Sequence, residues 1–150
     1  MMNPNMQIVQ TPDHVMIVTE MIHDARIIRL WESRPDNGVR QWMGVSSGRW
    51  EGDTLVITTT NFRPEQSAAM FVPLSEDFAL EERYTLVADD QILYGFTLTD
   101  AQAYTQPVSG ERILNRNAPE ELVYEYACHE GNYSLPGILA GARRQEVYGQ

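Results

Sequence analysis

The stretch from Trp42 to Phe62 limits this chain's fold more than any other part of it. Two runs of strand-forming residues flank Glu51-Gly52-Asp53, and Gly52 supplies at little steric cost the positive φ that a tight turn requires. The run after the turn is crowded with threonine, valine and isoleucine, whose β-branched side chains are stiff at χ1 and fit a pleated surface better than a helix. The spacing predicts a hairpin. A hairpin in turn predicts an antiparallel meander.

The rest of the chain repeats the pattern. Met6 to Gln10 and His14 to Met21 flank Thr11-Pro12-Asp13, a turn signal. Asp24 to Trp31 reads as a strand with neither face cleanly polar, and Ser33 to Arg40, with Pro35, Asp36, Asn37 and Gly38, as a loop. Arg63 to Asp77 has no periodicity and reads equally as a ligand-contacting lid or a surface excursion. Leu80 to Val87 and Ile92 to Thr99 form a third hairpin, with the even-numbered face of the second strand (Ile92, Tyr94, Phe96, Leu98) directed inward. Val108 to Arg116 and Glu121 to Cys128 make a fourth pair around Asn117-Ala118-Pro119. Ser134 opens a short helix that runs to about Val147. The expected fold is all-β, one domain over residues 1–150: an antiparallel up-and-down barrel of about eight or nine strands with a short C-terminal helix.

A chain of 150 residues buries a core without disulfides, and its single cysteine, Cys128, excludes an internal disulfide and a thiolate zinc cluster. The formal net charge of −10 repels phosphate backbones and anionic lipid, so neither nucleic acid nor membrane is expected as a partner. No apolar run approaches the length of a spanning helix, and Met1-Met2-Asn3-Pro4-Asn5 lacks a basic stretch followed by an apolar one. A soluble chain is expected, cytoplasmic as written and periplasmic or secreted if a leader has been removed.

Two apparent motifs fail on context. Gly44-Val45-Ser46-Ser47-Gly48 has nucleophile-elbow spacing, but that motif needs a strand turning sharply into a helix, whereas another strand follows here. Its glycines are read as allowing close packing or a bulge. His129-Glu130 begins like a zinc-peptidase motif, but Tyr133 stands where the second histidine is needed. A zinc site built from His14, His23 and His129 has no support in their spacing, so no metal and no cofactor is expected. His23-Asp24 and His129-Glu130 each couple an imidazole to a carboxylate, and histidine titrates nearest neutral pH. Adjacent strand residues face opposite ways, so a working site needs cross-strand partners. The acid/base candidates are His23, Asp24, Glu51, His129 and Glu130. Candidate substrate-binding residues are Arg26 and Tyr126 to orient the molecule, Trp42 and Trp50 as walls, and Tyr133 as a phenolic donor. Arg26 and Arg29 lie on an apolar strand, and either one that faces inward must find a carboxylate, for which Asp24, Glu82 or a bound anion qualifies. Gly137 and Gly141, four apart, are expected to let the helix pack closely on the barrel.

The string from Trp42-Met43-Gly44 through Asp53-Thr54-Leu55-Val56, with Tyr124-Glu125-Tyr126-Ala127-Cys128-His129-Glu130-Gly131-Asn132-Tyr133, resembles a large family of β-rich bacterial hypothetical proteins. Gln7-Ile8-Val9-Gln10-Thr11-Pro12 and His23-Asp24-Ala25-Arg26 fit it as well. The resemblance implies a calycin-like domain. It assigns no catalytic residue. The leading functional expectation is a small-molecule-binding barrel with metal-independent acid/base chemistry, as a lyase, isomerase or hydrolase, on a partly apolar or aromatic substrate. The rivals are a non-catalytic carrier of a hydrophobic ligand and a homodimeric interaction module.

Overall fold

A computed structural model describes residues 5–30, 38–65, 73–122 and 133–148. The strands are β1 (Met6–Gln10), β2 (His14–Thr19), β3 (Ala25–Leu30), β4 (Val45–Glu51), β5 (Thr54–Thr60), β6 (Ala79–Ala88), β7 (Gln91–Thr99) and β8 (Val108–Asn115), followed by helix α1 (Ser134–Tyr148). They form one curled half-barrel sheet in chain order. The all-β, mostly antiparallel fold with a C-terminal helix is the one the hairpin series predicts. One pair departs from the up-and-down rule: β3 and β4 run parallel, and among the described residues they share a ladder at Arg29–Ser47 and Leu30–Gly48. The connection from β3 therefore returns the chain to the end of the sheet where β3 began.

Side-chain parity builds the core. Val15 faces Ile28, Gly48 faces Ile57, Leu55 faces Tyr84, and Tyr84 faces Tyr94 across successive ladders. These positions, with Ile17 and Leu30, make the main buried cluster, against which Trp50, Ile92 and Phe96 pack. The even-numbered face of β7 does point inward. Phe62, Phe78 and Leu98 form a second cluster, with the two phenyl rings stacked at 4.3 Å between centroids. A Cβ on Gly48 would lie 2.8 Å from Ile28 Cγ2, so this glycine is present for close packing.

Val56 is fully buried although its face of β5 is the outer one. Its ladder neighbours are Arg49 and Arg83, whose aliphatic stems lie beside it while their charged ends stay wet. Glu51 holds both arginines: Arg49 Nε donates to Oε1 at 2.9 Å and Arg83 Nη2 to Oε2 at 2.8 Å. These two arginines, Arg83 first, lower the Glu51 pKa below the usual glutamate range. A carboxylate with a depressed folded-state pKa stabilises the fold above its unfolded-state value, and that contribution is lost as pH falls through the lowered one. Glu51→Gln is therefore expected to flatten the acid limb of stability measured by urea unfolding against pH. An acid limb with unchanged slope would contradict the role given to this carboxylate.

Three local expectations are corrected. β2 stops at Thr19 instead of reaching Met21, because a 3-10 turn at Met21–His23 intervenes, with His23 at φ 48° and the Thr19 N–H bonded to the Asp24 carbonyl. Helix α1 does not pack closely on the sheet through its glycines: a Cβ on Gly137 or Gly141 would meet nothing within 4 Å, and none of the helix is buried. Of the expected Glu121–Cys128 strand, the described residues Glu121 and Leu122 lie outside any strand. The remainder falls outside the described residues.

Candidate functional site

The short parallel ladder creates the site. In β3 the Leu30 N–H bonds to the Asp13 carbonyl and the Asp24 carbonyl accepts from Thr19, so even-numbered residues turn their backbone groups to β2. By alternation, Ala25 and Ile27 turn theirs toward β4. Their positions precede the two paired residues, where β3 and β4 have splayed apart. The result is a slot of about 460 Å³ bordered by Ala25, Arg26, Ile27 and Arg29 of β3, by Gln41, and by Met43 to Ser46. His14 lies at its edge, directly across the β2–β3 ladder from Arg29.

The slot contrasts with the chain around it. Its lining includes Arg26, Arg29 and His14 but no carboxylate among the described residues, in a protein with 21 acidic and 11 basic side chains. Ala25, Ile27, Met43 and Val45 provide an apolar wall. Gly44, at φ +69°, fixes the approach of the chain to β4, with its N–H bonded to the Gln41 carbonyl. Ser46 shares a buried 2.8 Å hydrogen bond with Thr59, so its hydroxyl is a strand-to-strand link and not an exposed nucleophile.

Arg26 joins this slot to the interior. Its Nη1 lies 2.5 Å from Glu82 Oε2 in a pair whose side chains are 12% and 6% exposed. Glu82 Oε1 accepts from the Tyr84 hydroxyl at 3.1 Å and the Tyr94 hydroxyl at 3.2 Å. Oε2 meets Arg26 off the line of a hydrogen bond and has no hydrogen-bond donor among the described residues. Burial opposes the charge on Arg26, but Glu82 outweighs it and raises the guanidinium pKa. Burial, then the Glu82 charge, pushes both phenols well above the usual tyrosine range. The tyrosines consequently act as neutral donors. This cluster pins β3 to β6 and β7 across the interior, and its guanidinium and two phenols are not poised to exchange protons near neutral pH.

The residues expected to act as acid and base do not converge among the described residues. His23 is exposed in the 3-10 turn, Asp24 is half-buried just ahead of β3, and Glu51 lies on the outer face with the two arginines. His129, Glu130 and Tyr126 lie outside the described residues. Trp42 is exposed in the turn before β4, Trp50 packs on the core, and Tyr133 is exposed beside α1. Arg26 does reach both the slot and Glu82, the partner its strand position had allowed. Sequence reasoning missed Arg29 and His14 as slot residues. Their signal was parity: each faces the side of the sheet opposite Arg26 or the buried Val15.

His14 carries one further feature. Its Nδ1 is 3.0 Å from Asp13 Oδ1, and this contact, with the Thr11 hydroxyl, lowers the Asp13 pKa. No group of three His, Cys, Asp or Glu side chains is placed to hold a metal ion among the described residues, and no described helix is long and apolar enough to cross a membrane. Comparison with known proteins finds no matching family model, no matching curated protein and no matching solved structure. The functional reading therefore rests on the geometry of this slot.

Proposed function

We propose that the protein binds a small carboxylate-bearing molecule with an apolar or aromatic body in the slot between β3 and β4, without turning it over. The observation that carries this reading is the placement of Arg29 and His14 beside an apolar wall with no acidic side chain in the described lining, while Arg26, held by Glu82, closes the slot from the inner face. The volume falls within the range of small-molecule sites, in which apolar walls give area and a few polar groups fix orientation. The Ala25 and Ile27 backbone groups add directed polar contacts. Calorimetric titration with aryl and alkyl carboxylates and their neutral amides tests this. Carboxylates are expected to bind, Arg29→Met to weaken them roughly tenfold, about 1.4 kcal/mol, and added salt to weaken them further. Equal binding of acid and amide would refute the anionic assignment.

A second reading follows from His14 beside Asp13 at the slot's edge. A carboxylate on Nδ1 leaves Nε2 to exchange protons with a bound molecule, which supports metal-independent acid/base chemistry there. Turnover that disappears in His14→Gln while carboxylate binding persists would favour the enzyme over the carrier.

A further inference from the structure

The half-barrel leaves a groove of about 1000 Å³ bordered by the β1 segment on one side and by β8 and the chain after it on the other. The Asn117 Nδ2 donates to Asn5 Oδ1 at 3.3 Å across it. Ile8, Ile92, Leu114 and Leu122 give the groove apolar surface, and Asp89, Asp90 and Glu121 give it carboxylates. Ile8 and Leu122 are 39% and 66% exposed. The groove is distinct from the ligand slot, with which it shares no lining residue.

Helix α1 has the complementary problem. Leu135, Ile138, Leu139 and Ala142 follow the i, i+3, i+4, i+7 spacing of one helical face, yet every residue of the helix is exposed. Fifteen residues is near the length below which an isolated helix is marginal in water, so such a helix draws its stability from packing its apolar face. Among the described residues no part of the helix is buried, although the sheet is complete enough to form its own groove. Arg143 and Arg144 directly follow the apolar stripe, opposite in sign to the groove's three carboxylates, and Glu146 can face Arg112 and Arg116, which also line the groove.

We propose that α1 of one copy seats in the β1–β8 groove of a second copy, with the reciprocal contact closing a two-fold homodimer. A second copy supplies helix and groove in equal number, and the two-fold arrangement buries both faces at once without leaving an open end for further assembly.

Sedimentation analysis of the full chain tests the proposal. The wild type is expected to be a dimer at micromolar concentration, and Ile138→Asp/Leu139→Asp to be a monomer with an unchanged sheet signal, because the described helix makes no buried contact with its own sheet. Arg143→Glu/Arg144→Glu is expected to weaken the dimer at least tenfold, and Asp89→Arg added to it to restore association. Glu121→Arg repeats the swap away from the β6–β7 turn, should the first combination disturb that hairpin. A monomeric wild type overturns the proposal, as does a dimer indifferent to Ile138→Asp/Leu139→Asp. Failure of both charge swaps to restore association overturns the assignment of the groove.

Discussion

Replacing Glu82 by alanine is expected to destabilise the fold by about 3–5 kcal/mol, the loss associated with stranding one charge of a buried pair. In a chain of this length that is a fall in melting temperature on the order of 10 °C. Arg26 would remain in the interior without its counter-charge, and the Tyr84 and Tyr94 hydroxyls would lose the oxygen that accepts both of them. The pair is not expected to be a large net source of stability, since desolvating two charges offsets much of their attraction. Arg26→Met/Glu82→Leu should therefore recover most of what Glu82→Ala loses. Chemical denaturation of the single and double variants checks both statements. A single variant within about 1 kcal/mol of the wild type would show that the interior does not depend on this pair; for comparison, surface substitutions usually stay within about 0.5 kcal/mol.

The second large effect is expected at Gly44. Its φ of +69° lies in the left-handed region, and a Cβ there would sit 2.7 Å from both Thr59 Cγ2 and the Thr60 carbonyl oxygen. The backbone conformation alone costs alanine about 1–2 kcal/mol, and the overpacking adds about 1–3 kcal/mol. Gly44→Ala should lose about 2–5 kcal/mol on this basis and shift the slot wall at Val45. Gly52 separates the two causes, because it has φ +60° but nothing within 4 Å of a Cβ. Gly52→Ala should carry the conformational part only. Equal losses at the two glycines would mean that contact with Thr59 and Thr60 contributes nothing.

Much of the fold was legible because alternation and turn chemistry are local. The Glu51-Gly52-Asp53 turn, the inward face of β7 and the need of Arg26 for a carboxylate all follow from residues within a few positions of one another. The direction of β4 relative to β3 was not legible. It depends on how the connection crosses the sheet, and alternation reads the same in a parallel and an antiparallel strand. The slot inherits that limit, because it exists only where the parallel ladder ends. Glu51 shows the same boundary from another side. Its place near a turn fits a rim residue of a cleft, but its parity with Arg49 sends it to the outer face, where Arg83 arrives from β6. For α1, the Gly137–Gly141 spacing is compatible with close packing but does not specify a partner, and the described sheet is not that partner.

The most direct test of the slot is an amide-resolved NMR titration of the labelled protein with a small arylcarboxylate. Saturable shifts at the Ala25, Ile27, Gly44 and Val45 amides, abolished when the acid is replaced by its neutral amide, are the predicted result. Shifts confined to β1 and β8, or none at saturating ligand, would contradict an anion site between the splayed strands.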